Sequence, residues 1–174
     1  AAEAVNVHGI RRFSSYTGYG ESFRFAGAWA GPVDVQSILT MDATFRDHFH
    51  PDMVLRDIRK AHLCFQGCKV VSTGRWGCGA FGGLPAHKFS QQVLAASLAG
   101  CQLRFSTFGS PDGCDEVLEV LAAKEPTSAQ LLKALLAASA AMQGNSTATR
   151  QRFPRVLAQS LENIMREQKV CAMH

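Results

Sequence analysis

One short stretch holds the residues with the clearest chemical potential. An apolar run at residues 69–73 empties into a loop containing Gly74, Gly77, Gly79, Gly82 and Gly83, and a helical pattern starts at Pro85. Strand, glycine loop and helix follow one another in this order at phosphate-binding sites. Glycines carry no Cβ and accept φ > 0, so successive backbone N–H groups can converge on an anion. The positive end of the following helix adds to the attraction. Trp76 and Phe81 set aromatic faces beside that anion, which describes a nucleotide-like ligand. The spacing fits neither the Walker loop, since no Gly-Lys-Ser/Thr closes it, nor the three-glycine dinucleotide fingerprint.

The loop does not stand alone. Trp76-Gly-Cys-Gly-Ala-Phe-Gly-Gly83, preceded by Thr73-Gly74, resembles the second diphosphate-binding loop of the poly(ADP-ribose) glycohydrolase family. Two more blocks match in the family's order: Tyr16-Thr-Gly-Tyr19 with Ser22-Phe-Arg-Phe-Ala-Gly27 upstream, and Phe105-Ser-Thr-Phe-Gly109 downstream. The resemblance covers residues 13–138. Two positions depart from the family pattern: Arg75 stands in place of Asn, and Leu84 in place of Asp.

The resemblance implies site residues. Gly77, Cys78, Gly79, Ala80 and Phe81 would meet a diphosphate through backbone, with Phe81 also packing on the terminal ribose. Phe108 would stack on adenine, and Tyr19 would close over the ligand. Read from residue type alone, Phe108 is a core aromatic at a strand end, Tyr19 a turn residue packing on Trp29, and Trp76 a wedge under the loop. Asp42 interrupts an apolar strand and needs hydrogen-bonding partners there. His48 and His50 form an HxH pair with no further ligand cluster, which reads as a pre-helix turn and not a metal site. Cys78 lacks a neighbouring His base and reads as a small packing residue in place of a reactive thiol.

These residues need elements to position them. Strands are expected at residues 22–29, 35–45, 69–73 and 101–108, and another at 4–7 whose partner is missing from the chain. Helices are expected from Pro51 to Phe65, with Val54, Leu55, Ile58, Ala61, His62 and Phe65 on one face, and from Pro85 to Leu98, with Val93, Leu94 and Leu98 as its stripe and Gly100 at C′. Further helices are expected at 115–123, at 131–142 behind a Thr127/Gln130 capping box, and at 153–168. Strands alternating with helices make an α/β layered domain. The resemblance implies a macrodomain-like fold, a mixed sheet between helices, incomplete in this chain. Residues 1–143 would be its C-terminal part, and 144–174 a polar hinge with an amphipathic helix.

Composition sets the class. The 174 residues are 47% hydrophobic and 18% charged, the balance of a globular chain with its own core. No apolar run approaches the ~18 residues of a membrane span, and no signal-peptide layout opens the chain. Six cysteines without CxxC pairing suit reduced thiols, hence an intracellular location, nucleus and/or cytoplasm. The net charge of +4 suits a polyanionic substrate, but no Lys/Arg stripe marks a sequence-specific nucleic-acid reader.

The resemblance also defines what this chain lacks. The family hydrolyses ribose–ribose O-glycosidic bonds of poly(ADP-ribose), releasing ADP-ribose, and its proton donor is the second residue of a Gln-Glu-Glu run located before the Tyr-Thr-Gly-Tyr block. Fifteen residues precede Tyr16 here and include no Glu pair. Asp115 and Glu116 do not match that motif. No catalytic residue is therefore expected in this chain, and neither metal nor cofactor. An N-terminal segment of the same protein, carrying the catalytic Glu, is the expected partner. The alternative is a non-catalytic ADP-ribose-binding module.

Overall fold

The computed structural model describes residues 3–18, 20–31, 36–144 and 151–171. It divides into two compact units, Val5–Thr40 and a larger one that joins Ala1–Ala4 to Met41–His174. The chain is mixed α/β, with small two-stranded sheets and five helices among the described residues.

The smaller unit is built of two antiparallel ladders. β1 (Val5–Ile10) pairs with β4 (Gln36–Thr40), setting Val7 opposite Ile38, and β2 (Ser14–Thr17) pairs with β3 (Arg24–Ala28), setting Tyr16 opposite Phe25. The strand expected at 4–7 thus has its partner within the chain, contrary to the sequence reading. Tyr16 stacks on Phe23 at 5.3 Å, and the Arg12 guanidinium lies 3.9 Å from the Trp29 ring centroid. Apolar side chains nonetheless remain open to solvent, Phe13 at 80% and Phe25 at 70% exposure.

The strand expected at 35–45 stops at Thr40. Asp42 is therefore not inside a strand. Its carboxylate pairs with Arg56 and Lys60, and Thr44 N donates to Asp57 at 3.0 Å. All three partners belong to the next helix, α1 (Pro51–Phe65), so polar contacts with α1 replace ladder bonds from this point on. His50 caps α1, its Nδ1 accepting from Asp52 N at 3.3 Å, and Pro51 starts the first turn, where a missing N–H costs nothing.

β5 (Val70–Thr73), α2 (Pro85–Ala99) and β6 (Gln102–Phe105) form a strand–helix–strand unit whose two strands run parallel, Thr73 opposite Phe105. Gly100 closes α2 at φ +66°, the left-handed cap expected there. α3 (Cys114–Lys124), α4 (Ser128–Met142) and α5 (Phe153–Cys171) complete the unit. Both capping-box bonds of α4 are made, Thr127 N to Gln130 Oε1 at 2.8 Å and Gln130 N to Thr127 Oγ1 at 3.2 Å. No helix among the described residues is long and apolar enough to cross a membrane.

The core joins Leu94 of α2, Val117 of α3, Leu135 of α4 and Phe153, Leu157 and Leu161 of α5, all fully buried. Burying each such side chain is worth roughly 1.5–3 kcal/mol. α5 therefore packs into the same unit that carries the glycine loop. The expected α2 stripe needs correction: Leu98 is 49% exposed, while Ala86, His87, Lys88, Phe89, Ser90, Gln91 and Gln92 are all buried. α2 is enclosed by α1, α3, α4, α5 and β6, so a single stripe does not describe it.

His87 is the polar centre of this packing. Its ring stacks on Phe49 at 4.6 Å and meets the edge of Phe153 at 5.0 Å, and its Nε2 lies 2.9 Å from Ser139 Oγ. Burial, followed by the charge of Lys88, holds its pKa well below 6.5. The unfolded chain therefore binds this proton first, and stability present above pH ~6.5 falls as pH drops below it, by up to ~1.4 kcal/mol per pH unit. We expect the urea midpoint to fall between pH 7.5 and 5.5, and His87→Gln to flatten that dependence.

Candidate functional site

Because β5 and β6 are parallel neighbours, the loops that follow them emerge side by side at their carboxyl ends. Ligands gather at such ends in open α/β sheets. The first loop, residues 74–84, is a series of tight turns: Trp76 N donates to Gly74 O at 2.7 Å, Cys78 N to Arg75 O at 3.0 Å, and Gly83 N to Gly77 O at 2.9 Å. The N–H groups of Gly77, Gly79, Ala80 and Phe81 find no acceptor among the described residues. Gly79, Ala80, Phe81 and Gly82 form the exposed apex. Leu84, the N-cap of α2, makes no side-chain cap, which leaves the helix's first N–H groups open beneath the apex.

The loop requires glycine where it is tightest. At Gly77, φ is +75° and a Cβ would meet the Ala43 Cβ at 2.6 Å; at Gly83 a Cβ would lie 2.7 Å from Gly77 O. The Lys88 stem fills the space below, its Cε 3.4 and 3.0 Å from the same two positions. Lys88 and Asp57, both wholly buried, form an ion pair there. Asp57 also accepts from Arg56 at 2.7 Å and from Thr44 N through both oxygens, at 3.0 and 3.2 Å. Burial lowers the Lys88 pKa while Asp57 pulls it back, and the contact with Lys60 is the main cause holding the Asp42 carboxyl below its usual value. Among the described residues, Arg56, Lys60 and Lys88 pair with Asp42 and Asp57. This cluster of three cations and two carboxylates thus carries one net positive charge, a field suited to an anion.

Neighbouring groups fix the loop's edges. Trp76 is a half-buried wedge with Nε1 donating to Met41 O at 3.0 Å. Gln92 holds the strand–loop junction, accepting from Thr73 Oγ1 at 2.8 Å and donating to Gly74 O at 3.2 Å. His48 Nε2 donates to Phe81 O at 2.6 Å. Phe81 meets Phe45 edge-on at 5.2 Å, beside a cleft of about 570 Å³ lined by Arg46, His48, His50 and Gln143 among others. His48 and His50 thus tie down the loop and cap α1 respectively. Among the described residues, no three His, Cys, Asp or Glu side chains are grouped to hold a metal.

The second loop carries Phe108. The core reading of this residue is overturned: Phe108 is 77% exposed, with φ +53°. Gly74 lies close beneath its ring, where a Cβ would come within 2.8 Å of Phe108 Cε2. Gly77, Cys78, Gly79, Ala80, Phe81 and Phe108 are therefore all on two adjacent loops. Tyr19 lies outside the described residues. Burial pushes the Cys78 thiol up to about 11, so it is protonated at neutral pH.

Lys88, Asp57 and Gln92 lie outside the ordered sequence blocks, so the motif does not point to them. A signal for one was present: Val54, Asp57, Ile58 and Ala61 share helical i, i+3, i+4 spacing, which places a carboxylate in an apolar stripe. Asp57→Asn strands a buried ammonium, and we expect a loss of about 3–5 kcal/mol in denaturant unfolding, with Asp57→Leu/Lys88→Met together costing less. Cys78 should react with iodoacetamide at pH 7.5 more slowly than exposed Cys171.

Residues 1–115 match the family described as poly(ADP-ribose) glycohydrolase, macro domain fold. Poly(ADP-ribose) glycohydrolase 1 of Caenorhabditis elegans is 31% identical over 160 residues, covering 74% of this chain and 20% of that protein. Probable poly(ADP-ribose) glycohydrolase 2 of Arabidopsis thaliana is 28% identical over 192 residues, covering 78% and 37% respectively. The chain thus spans well under half the length of these relatives. With a family match over most of its length, and with the glycine loop and the Phe108 loop side by side on parallel strands, the chain belongs to the poly(ADP-ribose) glycohydrolase family.

Proposed function

We propose that this chain supplies the diphosphate- and adenine-binding half of a poly(ADP-ribose) glycohydrolase, which hydrolyses ribose–ribose O-glycosidic bonds and releases ADP-ribose. The observation that carries the reading is the pairing of two loops: open N–H groups of Gly77, Gly79, Ala80 and Phe81 on one, and an exposed ring at Phe108 on the other. The N–H groups would bind the diphosphate, aided by the net positive charge of the Arg56, Lys60 and Lys88 cluster. Phe108 would stack on adenine, Tyr19 would close over the ligand, and the terminal ribose would pack on Phe81 beside the cleft.

Bond cleavage needs an acid that these loops do not offer. Asp57 is buried with Lys88, and Asp112 is paired with Arg75. In the reading proposed here, a glutamic acid of an N-terminal segment of the same protein protonates the leaving ribose oxygen. Water then attacks the oxocarbenium-like anomeric carbon and returns a proton to that carboxylate. The chain's contribution is positional, holding the bond against the acid. Exposed Phe13, Phe25, Val5 and Ile38 support such a partner, since apolar surface of this kind marks a covered face. So does a parallel ladder of two strands among the described residues, because parallel sheets are normally buried. Six unpaired cysteines support an intracellular setting, nucleus and/or cytoplasm.

Calorimetry with ADP-ribose tests the reading. The chain should bind it. Phe108→Ala should weaken binding about 5- to 150-fold, the range of one base–aromatic stack, and Gly77→Ala should abolish it. Release of ADP-ribose from the polymer should appear only when a segment bearing Gln-Glu-Glu is present. Binding without turnover under that pairing would leave a non-catalytic reader, and absence of binding would end the proposal.

A further inference from the structure

Phe108, the base contact in the reading above, has little to hold it. Its ring is 77% exposed, with no core packing, and its backbone sits at φ +53°. Asp112, four residues on, is also left-handed at φ +46°, with Gly109 at +80° and Gly113 at +82°. Left-handed backbone costs a non-glycine residue about 1–2 kcal/mol, and such geometry persists only where surrounding contacts impose it.

Those contacts come from the neighbouring loop. Arg75 donates to Ser110 O, and its guanidinium pairs with Asp112 Oδ2 at 2.6 Å, while Ser110 Oγ donates to Asp112 Oδ1 at 2.9 Å. Arg75 Nε is buried and makes no hydrogen bond among the described residues, so the end of the guanidinium is committed to the Phe108 loop. Gly74, the residue before Arg75, is the floor under the Phe108 ring. At its far end the loop is seated on the helices: a Cβ at Gly113 would meet Pro154 of α5 at 3.1 Å and Ala86 of α2 at 3.3 Å.

We propose that the Arg75–Asp112 clamp is a specificity device that fixes the Phe108 ring at a set distance from the glycine loop, so that the ligand's diphosphate and its base are read together. The proposal rests on the ADP-ribose reading above and adds positioning residues to it. Arg75 and Asp112 act through Phe108, without touching the base. Arg75 occupies a position where the resemblance has Asn, so the clamp is a property of this chain's own loop.

The test is a double-mutant cycle in ADP-ribose affinity, measured by calorimetry on the chain, Asp112→Asn, Phe108→Ala and the double variant. Asp112 is a surface residue, and thermal melts of all four verify folding, with Asp112→Ala as a second replacement. Asp112→Asn should weaken ADP-ribose binding about tenfold, within the range of one lost stack, and should cause no further loss once Phe108 is alanine. Inorganic pyrophosphate, which has no base, should bind the chain and Asp112→Asn alike. Equal losses with and without Phe108, or no loss at all, would overturn the clamp while leaving ADP-ribose binding standing. Failure of the unmodified chain to bind ADP-ribose would instead overturn the functional reading on which the clamp depends.

Discussion

The Lys88–Asp57 ion pair is the constraint on which the site depends. Taking two charges out of water costs several kcal/mol per ion, and the cost is offset only when the remaining donors and acceptors are satisfied. Asp57 meets that condition, receiving Lys88, Arg56 and the Thr44 amide. The consequence is geometric. The pair fixes α1 against α2, pins the segment that leaves β4, and puts the methylene stem of Lys88 directly under the glycine loop. The loop lies where it does because this stem is its floor.

The floor explains the glycines more fully than anion binding does. Gly77 and Gly83 are required by close approach, one to Ala43 and the other to the Gly77 carbonyl. Apart from the Gly77 amide, the groups freed for a ligand lie between them, at the exposed apex. Packing from below constrains Gly77 and Gly83, while binding from above uses the Gly77 amide and the apex between them. Two charged helix residues and two hydrogen bonds from Gln92 and His48 convert a flexible sequence into a fixed cradle, so little ordering remains to be done when an anion arrives.

α5 belongs to the same arrangement. Phe153, Leu157 and Leu161 are buried in the core, and Pro154 closes on Gly113 at the end of the Phe108 loop. A helix remote in sequence from the glycine motif thus braces the second half of the site. His87 links the same helices from within, between Phe49 and Phe153.

Local signals in the sequence determined the helix boundaries and the motif. Pro51 and Pro85 at first turns, Gly100 at a left-handed cap and the Thr127/Gln130 box act within a few residues, so one chain segment suffices to specify them. The ordered aromatic–glycine blocks were legible for the same reason. What the tertiary structure decided is everything that depends on partners distant in sequence: the pairing of β1 with β4, the end of β4 at Thr40, the exposure of Phe108, and the burial of Asp57 and Lys88. A charge on a helix reads as solvated until an opposite charge 31 positions away is brought against it, and an aromatic at a strand end reads as core until the backbone turns left-handed and sets it outside.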